Sequence, residues 1–123
     1  MQFDKLTTNF QQALSDGQSL ALSHDHVLLE PVHVIHVLVN QSRGSVLELL
    51  KQAGGNIGEL RSKLRVLIDR LHRVEAHDGE IRVSDSLSRA LNLTEKSAQK
   101  RGDKFLSSEL FFRVVVGGVD DLA

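Results

Sequence analysis

The sequence contains no cysteine, only one proline, and no marked excess of charge of either sign. Without cysteine the chain has no disulfide, no thiolate nucleophile and no zinc-thiolate site, and a reducing compartment is compatible with it. Fifteen basic residues stand against sixteen acidic ones, for a formal net charge of -1. Dedicated nucleic-acid binders and polybasic membrane-surface proteins carry a basic excess, so this balance argues against both classes.

Long apolar runs are missing as well. No stretch approaches the roughly 18 to 20 apolar residues that cross a membrane. The first residues, Met1 to Asp4, lack the charged start and the apolar middle of a signal peptide. We therefore expect a cytoplasmic protein. With 123 residues, of which 41% are hydrophobic and 25% charged, the chain fits one globular domain with an ordinary core.

Catalytic motifs are absent from the sequence. It has no G-x-x-x-x-G-K-S/T phosphate loop, so there is no basis for ATP hydrolysis of the usual type. Serine, histidine and aspartate occur without a nucleophile elbow or an oxyanion motif. We predict that this chain is not an enzyme and uses no cofactor.

What the sequence does contain is an internal repeat with an offset of about 77 positions. The first copy continues through residues 46–71, whereas the second meets the end of the sequence at Ala123 before it can do the same. We therefore expect about six helices rather than eight, with the last two helices of the second copy missing. The matched positions are Leu6-Thr7 with Val83-Ser84, Phe10 with Leu87, Ala13-Leu14 with Ala90-Leu91, Ala21 with Ala98, and Leu28-Leu29 with Phe105-Leu106.

Signals for the start of a helix recur at matching points of the two copies. Thr7 and Ser84 can each cap a long helix, which we predict at about 8–23 and about 85–101. Gly102 suits a left-handed helix stop. Residues 81–83 are the only segment expected to be briefly extended, so the predicted fold class is all-α.

Further helices are predicted between the copies and at the end. Ser45 can cap a short helix that stops at Gly54-Gly55, and Asn56 with Glu59 resembles a capping box that opens the next helix. A polar connector is expected at about 72–82, with its turn signal at His77-Asp78-Gly79. We expect Gly117-Gly118 to stop the sixth helix early. The stripe predicted for the fourth helix is Leu60, Leu64, Leu67 and Leu71.

Three stretches carry a resemblance to a known family. They are residues 10–22, with FQQAL and QSLAL; residues 29–34, LEPVHV; and residues 98–111, AQKRGDKFLSSELF. Over about residues 1–112 the sequence resembles the amino-terminal domain of Clp ATPases, most closely the ClpB-type protein disaggregase. The resemblance implies a single domain built as a pseudo-twofold repeat. Its expected parts are repeat one at about 1–71, a linker at about 72–82 and an incomplete repeat two at about 83–123.

The resemblance also implies a function. The domain would capture exposed hydrophobic segments of unfolded or aggregated polypeptides, or an adaptor protein, for AAA+ modules that lie outside this chain. Losing two amphipathic helices would uncover apolar side chains, each contributing about 1.5 to 3 kcal/mol when buried. A loosened second half or self-association is therefore expected.

Two groups of residues are candidates for the peptide site. Leu93 points about 120° away from the expected inward face of its helix, at about 100° per residue. Leu110 and the loop residues Phe105 and Leu106 can extend it into an apolar groove. The other reading, that these side chains simply pack under the loop or between helices, stays open. The inward face in question comprises Leu87, Leu91, Thr94 and Ala98.

Three polar residues match motif positions of the family: Thr7, Asp103 and Glu109. The resemblance implies that they lie near one another and support substrate engagement. Purely structural roles stay open for them, because Thr7 is also a helix cap and Glu109 complements a helix dipole.

Two other functions are weighed. Among six histidines, His24 with His26 and His33 with His36 lie close in sequence, but no further ligands follow at an established spacing, so we predict no metal site. A small helical DNA-binding regulator is the alternative function, since short helices and tight turns can imitate a helix-turn-helix. The basic residues 96, 100, 101 and 104 cluster, yet a solvated helix face accounts for most such clusters.

Overall fold

The computed structural model describes residues 3–41, 44–74 and 79–122, with the backbone alone at residue 3 and residues 118–122. Six α-helices, a short 3-10 turn and two strands of two residues each make up these ranges, which confirms the all-α prediction. In chain order they are the turn Phe3–Lys5, α1 Thr8–Ser23, β1 Leu28–Leu29, α2 Pro31–Asn40, α3 Ser45–Gln52, α4 Ile57–Asp69, β2 Arg82–Val83, α5 Asp85–Arg101 and α6 Ser108–Leu122.

The two long helices begin where the caps were predicted. The Thr7 hydroxyl oxygen accepts a hydrogen bond from the Phe10 amide at 3.2 Å, and the Ser84 hydroxyl oxygen accepts one from the Leu87 amide at 3.0 Å. Each cap satisfies one of the first-turn amides that lack a partner inside the helix. The predicted cap at Ser45 is wrong by one position: Gly44 is the cap residue and Ser45 is the first residue of α3.

The same two helices end in equivalent ways. Asp25 follows α1 with φ of 59°, and Gly102 follows α5 with φ of 75°. One residue further on, the His26 amide donates to the Ala21 carbonyl at 2.9 Å, and the Asp103 amide donates to the Ala98 carbonyl at 2.8 Å. These bonds close the last turn around a left-handed residue, as a Schellman-type stop does.

Short parallel pairings join the two halves reciprocally. Leu29 of β1 pairs with Val83 of β2, and Leu106 forms an isolated bridge with Leu6. The bonds that follow match: the Ser84 amide donates to the Leu29 carbonyl at 3.1 Å, and the Thr7 amide donates to the Leu106 carbonyl at 2.9 Å. Each repeat therefore gives its pre-helix segment to the other, a pseudo-twofold exchange. The boundaries proposed for the repeats stay a prediction.

One hydrophobic core serves both halves. Phe10 of α1 and Phe111 of α6 are both fully buried, and their ring centroids lie 5.0 Å apart. The inward face predicted for α5 is confirmed, since Leu87, Thr94 and Ala98 are buried and Leu91 is half-buried.

Two predictions about later helices are wrong. In α4 the buried positions are Leu64 and Ile68, whereas Leu67 is half exposed and Leu71 lies beyond the end of the helix. Packing against α2 selects this face, and leucine spacing alone could not distinguish it from its neighbour. The pair Gly117-Gly118 does not stop α6, which runs to Leu122.

The connector is only partly described. Residues 77 and 78 of the expected turn lie outside the described ranges, and Gly79 has φ of 82°. Residues 82 and 83 are extended, as predicted for 81–83. Of the helices in the described ranges, none is both long and apolar enough to cross a membrane.

Candidate functional site

A groove with a volume of about 640 Å³ runs between α5 and α6. Each helix contributes residues at spacings of three and four, which is the spacing of one helix face. The groove is therefore the seam between two parallel stripes of side chains. Its lining residues are Leu93, Lys96, Ser97, Lys100 and Arg101 of α5, with Leu110, Arg113, Val114 and Gly117 of α6.

The floor of the groove is apolar. Leu93 leaves 49% of its surface exposed, although large apolar side chains usually lie inside a protein. Leu110 is 6% exposed and reaches the groove from the core side, with half-buried Val114 one turn further along α6. Leu93 and Leu110 both line this groove, and their role in binding stays a prediction.

The rim of the groove is positively charged. Lys96, Lys100, Arg101 and Arg113 all line it, and all four are exposed. The Arg101 guanidinium is paired with the Asp103 carboxylate at 3.0 Å. Asp103 therefore lies beside one end of the groove and does not line its floor.

Glu109 borders a smaller pocket of about 130 Å³ next to the groove. Arg101, Leu110 and Arg113 line both spaces, so Glu109 and Asp103 flank the same end of the groove. Glu109 is half-buried in the first turn of α6, where its negative charge complements the helix dipole.

The remaining candidates lie elsewhere. Thr7 caps α1 and bonds to the loop that precedes α6, and it lines neither space. Leu106 is 3% exposed and belongs to the core, in agreement with the reading that it packs under the loop. Phe105 is 52% exposed but is not among the lining residues.

Sequence reasoning missed the contribution of α6 beyond Leu110. Arg113, Val114 and Gly117 follow Leu110 at three, four and seven residues, as Lys96, Ser97 and Lys100 follow Leu93. That spacing could have signalled a second stripe.

A buried histidine pair lies far from the groove in sequence. The Glu30 amide donates to His33 Nδ1 at 2.9 Å, so His33 Nε2 carries the hydrogen that it shares with His26 Nδ1, also at 2.9 Å. Burial, and then the neighbouring His26, His24 and His36, lower the pKa of His33 to about 4. Burial, and then His24 and Arg73, lower the pKa of His26 as well. Over the described residues, no group of three or more metal-binding side chains is close enough to hold an ion.

Comparison with known sequences identifies related proteins. The sequence profile of the Clp repeat (R) N-terminal domain matches residues 5–116. The chaperone protein ClpB of Dichelobacter nodosus is 42% identical over 96% of this chain, and that of Pseudomonas putida is 40% identical over 98%. In both cases the chain spans 14% of the length of the relative.

Solved structures share the fold. The N-domain of ClpV from Vibrio cholerae superimposes with a TM-score of 0.83 at 21% identity, over 96% of this chain and 70% of that one. The Hsp104 N-terminal domain from Candida albicans gives 0.83 at 17% identity, over 95% and 78%. A third structure, described as a complex of the ClpV N-domain with VipB peptide, gives 0.84 at 21% identity, over 96% and 71%.

Proposed function

This chain belongs to the Clp repeat N-terminal domain family, and from that premise we propose that it is a recruiting module that captures exposed apolar segments of unfolded or aggregated polypeptides. The observation that carries the proposal is the groove between α5 and α6, with half-exposed Leu93 on its floor. An apolar groove on a folded surface is a usual place for an apolar peptide segment to bind.

The groove suits weak and transient capture. It is open to solvent along α5 and α6, and its apolar floor depends on a few side chains, chiefly Leu93, Leu110 and Val114. A small contact area with few anchors gives low affinity once the cost of ordering the peptide is subtracted. Low affinity allows a captured segment to be passed on.

The finer parts of the proposal concern the larger protein. Because the ClpB relatives are about seven times longer than the matched region, we propose that AAA+ modules outside this chain act on the captured segment. An adaptor protein is a second class of partner, since a related N-domain has been solved with VipB peptide. The proposal includes a cytoplasmic location, which fractionation of cells would test.

The experiment compares amide NMR spectra of the 123-residue chain before and after addition of a reduced, alkylated and therefore permanently unfolded polypeptide at moderate salt. We expect shifts to cluster at Leu93, Leu110 and Val114. Leu93→Gln should reduce the affinity by about three- to tenfold, as loss of a partly buried leucine does. Well-dispersed spectra without any shifts would refute the proposal.

A matched control exists on α4. Leu67 is 50% exposed, almost the same as Leu93 at 49%, and it lies outside the groove. Leu67→Gln removes the same side chain at the same exposure, so it should leave the affinity unchanged. Equal losses for both variants would mean that capture depends on general surface hydrophobicity.

The polar candidates Thr7, Asp103 and Glu109 remain proposed contributors. Asp103 and Glu109 flank the end of the groove near Arg101, which favours a role in positioning the rim. Glu109→Ala should weaken capture by more than its loss of folding stability explains. If capture falls only in proportion to stability, the residue serves the helix dipole alone.

Self-association is a separate proposal. A surface groove that holds apolar segments also presents apolar atoms to a second copy when the protein is concentrated. Sedimentation velocity should then show a mass that rises with concentration. A constant monomer mass would exclude self-association.

A further inference from the structure

The charges around the groove are unbalanced. Four cationic side chains line it: Lys96, Lys100, Arg101 and Arg113. The Asp103 carboxylate at its end forms an ion pair with Arg101 at 3.0 Å. The Glu109 carboxylate lines the adjoining pocket. Among the described side chains, the other three cations, Lys96, Lys100 and Arg113, therefore form no ion pair with a carboxylate, although the whole chain carries a net charge of -1.

The excess cations lie beside the apolar floor. Lys96 and Lys100 are exposed, one turn apart on α5, and within the described ranges neither has a carboxylate partner. Four residues of helix separate them by about 6 Å along the axis. Two residues of an extended peptide span about 6.6 Å, so carboxylates at alternate positions of a bound strand match this spacing.

Resting on the proposed function, we propose that this groove selects apolar segments flanked by aspartate or glutamate, with Lys96, Lys100 and Arg113 as the residues that determine this specificity. The apolar anchors occupy the floor at Leu93 and Leu110. The flanking carboxylates lie along the lysines of α5 and the arginine of α6. Complementary charge of this kind selects partners and raises the rate of encounter more than it raises affinity.

The test uses three synthetic peptides with one shared core of leucine, phenylalanine and valine, flanked by glutamate, glutamine or lysine. Fluorescence anisotropy measures their affinity for the 123-residue chain. At low salt we expect the glutamate-flanked peptide to bind about tenfold more tightly than the glutamine-flanked one, and the lysine-flanked one more weakly than either. At about 0.5 M salt the ratio should fall to about twofold.

Variants without the rim charges test whether Lys96, Lys100 and Arg113 cause the preference for the glutamate-flanked peptide. The triple variant Lys96→Gln/Lys100→Gln/Arg113→Gln should bind all three peptides as the wild type binds the glutamine-flanked one. All three side chains are exposed, so folding should be unaffected, and circular dichroism checks this. Lys63→Gln is the control, because Lys63 is a 71% exposed lysine on α4, outside the groove, whose ion pair is with surface Glu59.

A substitution inside the groove tests whether the peptides bind there. A Cβ atom at Gly117 would meet no atom within 4 Å, so the position has room for a side chain, and we expect Gly117→Leu to occupy that end of the groove. It should weaken binding of all three peptides by about tenfold or more. Unchanged binding of the glutamate-flanked peptide to Gly117→Leu would overturn the assignment of the site.

The outcomes separate the two proposals. Equal affinity for all three peptides would refute the charge preference and leave the recruiting function standing. Binding of none of them would refute both. A labelled DNA duplex is the last probe: if it binds more tightly than the glutamate-flanked peptide, and its affinity falls steeply with salt, the rim serves phosphates and the preference for acidic peptides is wrong.

Discussion

At the scale of single residues, the burial of His26 and His33 makes the stability of the folded protein depend on pH, because it lowers the pKa of both side chains. Both imidazoles are almost completely buried, and both ring nitrogens of His33 form hydrogen bonds. In the neutral form each contact has one donor and one acceptor. A proton added to His33 Nδ1 would face the Glu30 amide, another donor, so the neutral form is favoured in the folded protein.

The first prediction concerns acid stability. The pKa of His33 is about 4 in the folded protein and about 6.5 in an unfolded chain, so the unfolded chain binds the proton more readily. The full free energy of unfolding is therefore present above about pH 6.5, and the loss approaches about 3 kcal/mol as pH falls towards 4. Urea unfolding between about pH 7 and pH 5 measures the slope.

The control for this prediction is His33→Gln. A glutamine at the third position of a helix can still accept the amide hydrogen bond from Glu30, but it does not titrate. The variant should show a flatter dependence of stability on pH, with the remaining slope due partly to His26. A wild-type protein equally stable at both ends of this range would show that the pair is not shielded from protons.

At the scale of elements, local chemistry decides where the long helices begin and end. The hydroxyls of Thr7 and Ser84 open α1 and α5 at the predicted residues. Gly102 and Asp25 end them in the left-handed region, which glycine enters without strain and aspartate enters more readily than most residues. The two caps and the Gly102 stop depend on a few neighbouring residues, so the sequence alone predicts them, whereas the left-handed Asp25 is found in the structure.

The second prediction uses two glycines in opposite settings. Gly102→Ala should lower the free energy of unfolding by about 1 kcal/mol, because alanine is strained at positive φ. Gly117→Ala should raise it by about 0.5 to 1 kcal/mol, because Gly117 lies inside α6 with open space around its Cα. Chemical denaturation of both variants measures the difference. A stabilising Gly102→Ala would contradict the left-handed stop.

At the scale of the whole molecule, the two repeats interlock. The segment before α5 pairs with the first half at Leu29, and the segment before α1 pairs with the second half at Leu106. Phe10 and Phe111 then meet in the shared core. Neither half keeps its pairing partner if the other unfolds, so we expect one cooperative unit in place of the loosened second half that the repeat alone suggested.

The third prediction tests this cooperativity. Phe111→Ala should cost about 3 to 5 kcal/mol, as loss of a fully buried aromatic ring does. Amide hydrogen exchange should then speed up by similar factors at Ser84 and at Thr7, whose amides bond across the two halves. Faster exchange confined to α6 would mean that the second half opens alone.

The sequence by itself determined the helical class and the family. It also determined where α1 and α5 start and stop, because caps and turn residues act on neighbours within a few positions. It also marked Leu93 as an apolar side chain outside the core. Tertiary structure alone decided which leucine of α4 is buried, since α2 selects the face. Helix α6 continues through Gly117 despite a glycine penalty of about 1 kcal/mol inside a helix.

The groove is also decided by the tertiary structure. Leu93 and Arg113 are twenty positions apart and lie on different helices, so no local rule joins them; the packing of α5 against α6 does. The histidine pair and the exchanged β-pairings are likewise contacts between distant segments. Their geometry follows from the shared core, which places each segment relative to the others.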